Sequence, residues 1–222
     1  MVCAGAIAGE FCQKHEILAP FRSQPKSQNT VNSSILAQIP DGVPRYIAML
    51  RGSMPSKVGL TPERHASLAL PSYIQSSSPI RRAPDLISHH QIRSFMLGKK
   101  SHMYEKQVLK DLINQISETT REARQLESRC NRYWILTKLK MMGPNIRHRG
   151  IVVRIFGMED DDNLLKETSK NESCLLFLSD YAISIMGRVQ AGVVYGEQVE
   201  VSVLEVDPRS AFVKSLAYKL SC

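Results

Sequence analysis

The sequence predicts an α+β chain of 222 residues that is mainly helical up to residue 142 and all-β beyond it. Apolar residues follow helical spacing before Met141-Met142-Gly143-Pro144, and they alternate with polar residues after it. This Gly-Pro segment breaks a helix. An apolar fraction of 43% is ordinary for a globular protein, and the length allows one or two domains. We therefore predict two domains, residues 1–142 and residues 143–222.

The first 75 residues combine one buried helix with irregular structure. Residues 2–17 are apolar and rich in Ala and Gly, a composition that permits close helix packing. Four prolines favour a loop over residues 20–44. A short helix or turn follows over residues 45–52, and residues 53–75 are irregular or weakly stranded.

The next predicted helix covers residues 79–97. Ser78 is a good N-cap, Pro79 suits the first helical position, and Gly98 is a good stop. Pro84 removes a backbone donor, so a kink or a late start is expected there.

A long helix is predicted over residues 104–141. Its apolar side follows a 3-4 spacing through Leu109, Leu112, Ile116, Thr119, Ala123, Leu126, Cys130 and Tyr133. This side favours either packing within one domain or a coiled-coil dimer.

Five short strands are predicted after the Gly-Pro break. They cover residues 151–156, 174–178, 183–189, 199–206 and 212–216. Period-two alternation and turn residues between the strands predict an OB-fold barrel, which we assign to residues 143–222.

Two adjacent arginines, Arg81 and Arg82, lie near the start of the helix predicted over residues 79–97. Free N–H groups at a helix start favour an anion, and two guanidinium forks can hold a phosphate by paired hydrogen bonds. The alternative is a surface ion-pair cluster with no ligand.

The positive charge of the chain is unevenly distributed. The net charge is +8, and residues 76–149 carry 15 Lys and Arg against 6 Asp and Glu. Residues 150–222 carry 7 against 11. The basic excess therefore lies on the two central helices, where the backbone of a nucleic acid would be neutralised. The alternative is that these side chains only solvate a long helix. The acidic barrel half predicts weak affinity for nucleic acid from the barrel alone, and the alternative is that it is a structural cap.

Other composition signals exclude several classes. Five cysteines without a Cys-x-x-Cys pair argue against a disulfide framework or a structural zinc site and suit a reducing compartment. No apolar run is long enough to span a membrane. Residues 1–8 match neither a secretory signal nor a transit peptide.

Three separated blocks resemble the ribonuclease II / ribonuclease R family of 3′→5′ exoribonucleases. Residues 20–25, Pro-Phe-Arg-Ser-Gln-Pro, are similar to the family segment Leu-Pro-Tyr-Arg-x-Gln-Pro. Tyr73 and residues 78–82, Ser-Pro-Ile-Arg-Arg, match a second block, and residues 85–89 match its Asp-Leu-Ile-x-His helix. The residues of these blocks are most similar to those of plant organellar members, and the match covers about residues 1–140. Ala83 departs from the family, which has an aromatic residue after the arginine pair.

The resemblance implies the carboxy-terminal part of a ribonuclease II catalytic domain, followed by an S1-like, RNA-binding OB module. It implies a processive hydrolase that releases nucleoside 5′-monophosphates from single-stranded RNA, with Arg81 as the catalytic residue at the scissile phosphate. Asp85 and His89 are expected to be architectural. The RNA-binding candidates are Arg82, Tyr73, Ser78, Arg93, Arg121 and Arg124.

The resemblance also implies Mg²⁺, held by spaced aspartates that lie upstream of these blocks in the family. This chain offers no ligands for it, and the acidic run at residues 159–162 is contiguous and is expected to be a solvated loop. The missing amino-terminal part is therefore an expected partner, and an RNA-binding remnant without activity is the alternative. The family suggests chloroplast or mitochondrion.

Overall fold

The chain folds into two compact units. The computed structural model describes residues 1–27, 31–51, 53–98, 104–157, 167–169 and 172–220. The first unit, which we call the helical unit, comprises Met1–Gln28 and Gly52–Gln125. The second, which we call the barrel unit, comprises Asn29–Arg51 and Leu126–Cys222.

The helical unit contains most of the predicted helices and a two-stranded antiparallel sheet. Phe21 pairs with Gly59 and Ser23 pairs with Lys57 across this sheet. The elements are α1 (Val2–Lys14), β1 (Phe21–Ser23), β2 (Lys57–Gly59), a 3-10 turn (Ala66–Leu68), α4 (Ala83–Met96) and the first part of α5 (Lys106–Met142).

Helix α1 packs closely against the segment that holds Tyr73, as its small residues predict. A Cβ on Gly5 would lie 2.5 Å from the carbonyl oxygen of Ile74, and one on Gly9 would lie 3.1 Å from the Tyr73 nitrogen. Only glycine permits this approach at Gly5 without movement of the neighbouring backbone. The adjoining core contains Cys12, Ile17, Ala19, Phe21 and Ile74.

Helix α4 begins later than residue 79. Residues 79–82 form a turn in which the Arg81 and Arg82 N–H groups donate to the Ser78 carbonyl at 3.2 and 3.1 Å. The helix starts at Ala83, so Arg82 and not Ser78 is the N-cap residue. Pro84 lies in the first helical turn, where the missing donor costs nothing. The predicted stop is confirmed, because the helix ends at Met96 and Gly98 has a φ of +68°.

Helix α5 extends over 37 residues, in agreement with the prediction of one long helix. Its apolar side is buried only towards the two ends, at Leu109, Ile113, Leu136 and Leu139. Residues 117–131 are exposed throughout, including Leu126 at 64%. Packing within one domain is therefore wrong for the middle of the predicted seam.

The barrel unit holds a closed five-stranded barrel. Its strands follow the order β3-β4-β5-β7-β6, and β5 and β7 are its parallel neighbours. This arrangement confirms the predicted OB-like barrel. The elements are α2 (Ser33–Gln38), α3 (Val43–Leu50), the last part of α5, β3 (Arg147–Ile155), β4 (Glu172–Leu178), β5 (Ile183–Val189), β6 (Gln198–Asp207) and β7 (Phe212–Lys219).

The core of the barrel unit includes side chains from outside residues 143–222. Leu136 and Leu139 of α5, together with Ile39 and Ala48, join the buried cluster of the strands. The Tyr195 hydroxyl donates to the Pro44 carbonyl at 2.8 Å. The short helix α2 thus replaces part of the loop expected over residues 20–44, whereas α3 confirms the short helix predicted over residues 45–52. The boundary at residue 143 stays a prediction. The compact barrel unit also includes the last part of α5 and residues 29–51.

Three further sequence expectations concern single features. The described cysteines Cys3, Cys12, Cys130 and Cys174 are free thiols. No helix among the described segments has the length and hydropathy needed to cross a membrane. The acidic run at residues 159–162 lies outside the described residues.

Candidate nucleic-acid interface

A buried carboxylate organises the turn that carries the two arginines. Asp85 is fully buried, and its Oδ2 accepts the Ser78 backbone N–H at 2.8 Å and Arg82 Nη2 at 2.7 Å. Arg82 Nη2 also donates to Ser77 Oγ at 3.0 Å. Asp85 thus closes the turn and fixes the first turn of α4. The backbone N–H of Ser78 and one edge of Arg82 are already used inside the protein.

Arg81 lies in the same turn but faces solvent. Its side chain is exposed and makes no hydrogen bond or ion pair with any residue that the structure describes. The preceding Ile80 is fully exposed as well. The turn therefore presents one unpaired guanidinium outward while it holds the other, and only Arg81 has all its donors free for a ligand.

The structure gathers three arginines from separate parts of the sequence. Arg22 lies on β1, and its Nε and Nη2 donate to Ser56 Oγ at 3.0 and 2.7 Å. Its guanidinium interacts electrostatically with Arg124 on α5 and with Arg82. We refer to Arg22, Arg82 and Arg124 as the arginine cluster.

The electrostatics of the arginine cluster favour an anion. Burial, then the charge of Arg124 and that of Arg82, lower the pKa of Arg22, while Tyr73 opposes this shift. A guanidinium stays protonated near neutral pH despite such a shift. Asp85 offsets one of the three positive charges through its pair with Arg82. Guanidinium forks with such an excess of charge can bind phosphate groups by paired, charge-assisted hydrogen bonds.

Two rings border Arg22. The Arg22 backbone N–H donates to the Tyr73 carbonyl at 2.8 Å, and the Tyr73 ring lies edge-on to His65 with centroids 5.9 Å apart. His65 is buried, and its Nδ1 has no hydrogen-bond partner among the described residues. Burial, and next the charge of Arg22, lower the pKa of His65. His65 is thus held neutral near physiological pH.

The predicted RNA-binding residues fall into different places. Tyr73 contacts Arg22 through its carbonyl, and Arg124 interacts with Arg22 electrostatically, whereas Arg93 is exposed in the last turn of α4. Arg121 is exposed and lies 4.0 Å from Glu118, one helical turn before it. The structure therefore brings Tyr73, Arg82 and Arg124 together and adds neither Arg93 nor Arg121 to that group.

Asp85 and His89 have the contacts expected of architectural residues. Asp85 pairs with an arginine, as described above, and His89 Nε2 lies 2.6 Å from the Ser76 carbonyl oxygen. Both contacts tie α4 to the segment before it.

Sequence reasoning missed Arg22, Ser56 and His65 as members of the site. Arg22 lies at the half-buried position of a strand whose neighbours Phe21 and Ser23 are buried. A polar residue in that position was a usable signal, but a three-residue strand is too short for its alternation to stand out. Ser56 and His65 meet Arg22 only through the fold.

The described residues do not fit a magnesium site. No three His, Cys, Asp or Glu side chains gather in the described part of the chain in a way that could hold a metal ion.

Comparison with known proteins gives consistent matches. Residues 1–98 match the RNB domain model. The chain is 33% identical over 210 residues to an uncharacterized ribonuclease of Synechocystis, which covers 94% of this chain and 29% of the relative. It is 26% identical over 214 residues to the chloroplastic/mitochondrial ribonuclease II of Arabidopsis thaliana, which covers 96% of this chain and 25% of that protein.

A solved structure shares the fold. Mycoplasma genitalium RNase R in complex with ribose-methylated single-stranded RNA superposes with a TM-score of 0.74 at 15% identity, over 99% of this chain and 40% of that one. The chain spans between a quarter and three tenths of the length of the two curated relatives.

Proposed function

Because the chain belongs to the ribonuclease II family, we propose that it is the RNA-holding, carboxy-terminal part of a processive 3′→5′ exoribonuclease. In this proposal the complete enzyme hydrolyses single-stranded RNA and releases nucleoside 5′-monophosphates. The observation that carries the proposal is the exposed, unpaired Arg81, which adjoins Arg82 of the arginine cluster in a turn fixed by buried Asp85.

The proposed roles divide between Arg81 and the arginine cluster. Arg81 contacts the scissile phosphate and stabilises the negative charge that develops there during hydrolysis. Arg22 and Arg124 neutralise neighbouring phosphates, and Arg82 positions the turn through Asp85. Tyr73 supports Arg22 through its carbonyl. The proposed contact of Ser78 is its hydroxyl, since its N–H is occupied.

The remaining predicted residues have a peripheral role in this proposal. Arg93 and Arg121 are exposed and would attract the RNA backbone by charge, with a contribution that salt screens. The helical unit as a whole carries 14 Lys and Arg against 8 Asp and Glu, which supports such attraction.

Divalent metal dependence comes with the family. The described residues offer no site for Mg²⁺, so we derive no step through it. We propose that the family's metal-binding aspartates belong to an amino-terminal part of the same enzyme. The name of the Arabidopsis thaliana relative, chloroplastic/mitochondrial, supports an organelle as the compartment.

The test is degradation of an end-labelled, single-stranded oligoribonucleotide in the presence of Mg²⁺. We expect the chain alone to bind the RNA without cleaving it, and a longer polypeptide that includes the family's aspartates to release 5′-monophosphates. In that polypeptide, Arg81→Ala should lower the rate by about two to three orders of magnitude. Lys14→Ala, an exposed charge at the end of α1, is the matched control and should leave the rate unchanged.

The second candidate is a catalytically inactive RNA-binding remnant. It is favoured by the lack of a metal-binding group among the described residues. If the longer polypeptide binds RNA but yields no monophosphates, the remnant replaces the enzyme. An unchanged rate in Arg81→Ala would contradict the role of Arg81 in the enzyme, and an unchanged RNA affinity would contradict its role in the remnant.

A further inference from the structure

The barrel unit carries a second basic surface, although residues 150–222, which contain most of its strand residues, are acidic overall. Residues 150–222 are acidic, with 7 Lys and Arg against 11 Asp and Glu. The barrel unit also includes the last part of α5 and residues 29–51, and its total becomes 15 against 13. Part of the added positive charge comes from α5, where Arg129 and Arg132 line a groove.

This groove has a volume of about 490 Å³ and lies between α5 and the loop that joins β6 to β7. Three guanidinium groups and two aromatic rings line it: Arg129, Arg132, Arg209, Tyr133 and Trp134. Every one of these residues belongs to the barrel unit.

The aromatic rings present an open face. Trp134 is 68% exposed, and its ring meets the Tyr133 ring edge-on at 81° with centroids 5.2 Å apart. An indole held in this way by a neighbour offers a rigid surface on which an unpaired base can stack.

The guanidinium groups differ in how they are held. Arg132 Nη1 donates to the Ser184 carbonyl at 2.9 Å, which fixes that side chain beside the barrel. Arg129 and Arg209 are exposed and have no side-chain hydrogen bond or ion pair with any described residue. Two free guanidinium groups therefore flank the rings.

The β6–β7 loop is pre-organised to present Arg209. Asp207 Oδ1 accepts the Arg209 backbone N–H at 3.1 Å, and its Oδ2 accepts the Ser210 hydroxyl at 2.5 Å. These two bonds, with a smaller effect of Lys140, lower the pKa of Asp207. The carboxylate is thus occupied by its own turn, and the Arg209 side chain remains available.

We propose that this groove binds a short single-stranded segment of RNA, with a base stacked on Trp134 and its phosphates held by Arg129 and Arg209. Basic charge combined with a stacking platform is the pattern of sequence-tolerant single-strand binding. The β6–β7 loop is also one of the loops by which OB folds hold oligonucleotides. Trp and Arg are frequent at protein interfaces too, but the surplus of free positive charge favours a polyanion. The inference rests on the proposed function, because it takes RNA as the ligand.

Trp134 is the single tryptophan of the chain, so intrinsic fluorescence reports on this groove directly. We expect a single-stranded oligoribonucleotide of about 12 nucleotides to quench this fluorescence saturably in the full chain. A blunt duplex of the same sequence and inorganic polyphosphate should not quench it, since neither offers an unpaired base. If the single strand does not quench the fluorescence under conditions where labelled RNA is bound, the inference is overturned. Quenching by an acidic peptide in place of RNA would overturn it as well.

Variants separate stacking from charge. In anisotropy titrations with labelled RNA, Trp134→Ala should weaken binding about tenfold, whereas Trp134→Phe, which keeps a ring, should stay within about twofold. Arg209→Ala should weaken binding several-fold, and Arg149→Ala, an exposed arginine of β3 outside the groove, is its matched control. Equal binding by the Trp134→Ala and parent chains would contradict stacking.

The same titrations distinguish the role of this groove from the proposed role of Arg81. Arg81→Ala should lower overall RNA affinity but leave the quenching of Trp134 by RNA intact. If Arg81→Ala changes neither signal, the proposed role of Arg81 fails and the groove stands. If Arg81→Ala weakens binding and Trp134 never responds, the groove fails and the role of Arg81 stands.

Discussion

At the scale of single residues, the pair Arg81 and Arg82 shows how adjacent, identical side chains take different tasks. Arg82 contacts a carboxylate that is fully buried, whereas Arg81 is exposed and unpaired within the described structure. Sequence alone predicts that two guanidinium groups lie at the start of a helix. It does not predict which of the two arginines pairs with Asp85, because the choice depends on how the turn closes around the Ser78 N–H.

Asp85→Asn tests the structural half of this division. The amide keeps the shape, and its oxygen can still accept from both donors of Oδ2, but it removes the charge that pairs with Arg82. We expect the free energy of unfolding to fall by about 1–3 kcal/mol in urea titrations. Asp111→Asn, on the exposed surface of α5, should change it by no more than about 0.5 kcal/mol. Equal stability of the two variants would show that the buried pair does not hold the turn.

At the scale of elements, α1 depends on glycine at one contact. Gly5→Ala would place a Cβ 2.5 Å from the Ile74 carbonyl oxygen, so backbone has to move. We expect a loss of about 1–3 kcal/mol in the free energy of unfolding. Gly59→Ala on β2, where a Cβ meets nothing within 4 Å, is the matched control. A Gly5→Ala chain as stable as the Gly59→Ala chain would mean that this close approach is not required.

The long helix α5 shows where sequence patterns stop being informative. Its length follows from unbroken helical spacing up to Gly143, and the prediction was confirmed. Its burial was predicted wrongly for the middle, because a 3-4 spacing shows that one side is apolar and not that a partner covers it. Residues 117–131 are exposed although Leu126 and Cys130 continue the apolar side.

The unpaired middle of α5 leaves the coiled-coil alternative open to a direct test. Leu126→Glu removes the most exposed leucine of that side. If the parent chain is monomeric, the molar mass of the Leu126→Glu variant in multi-angle light scattering should equal that of the parent. The unfolding midpoint of the variant in urea should then change little. A fall from dimer to monomer on this substitution would show that two copies pair along α5.

At the scale of the whole molecule, two histidines link stability to pH. Burial lowers the pKa of both His65 and His148; the charge of Arg22 adds to the effect at His65, and Asp180 opposes it at His148. A lowered folded-state pKa means that the unfolded chain binds protons more readily, so stability is present above the unfolded pKa of 6.5 and is lost as pH falls below it.

We therefore expect the melting temperature to decrease from about pH 7.5 to about pH 5.5, a range in which carboxyl groups scarcely titrate. The double variant His65→Gln, His148→Gln should show a flatter profile over the same range. A double variant with the same pH dependence as the parent would contradict the assignment to these two groups.

The two-unit organisation also exceeds what the sequence predicts. Period-two alternation is sufficient for five strands and their closure into a barrel, since each strand has one buried side. It says nothing about Ile39, Ala48, Leu136 and Leu139, which complete the same core from distant segments. For the same reason the sequence indicates Arg82 and Arg124 as binding residues but not Arg22. These three arginines are separated by up to about a hundred residues and interact only in the fold.

The most direct test of the account is the salt dependence of single-stranded RNA binding by the full chain. Each phosphate contact contributes about 0.7 to the slope of log affinity against log salt for single strands. We predict that replacing Arg22, Arg81 and Arg124 together by Gln reduces the slope by about two, while the matched triple variant Lys14, Lys138 and Arg149 to Gln leaves it unchanged. Equal slopes for the parent and the Arg22, Arg81 and Arg124 variant would contradict the claim that these guanidinium groups hold the RNA backbone.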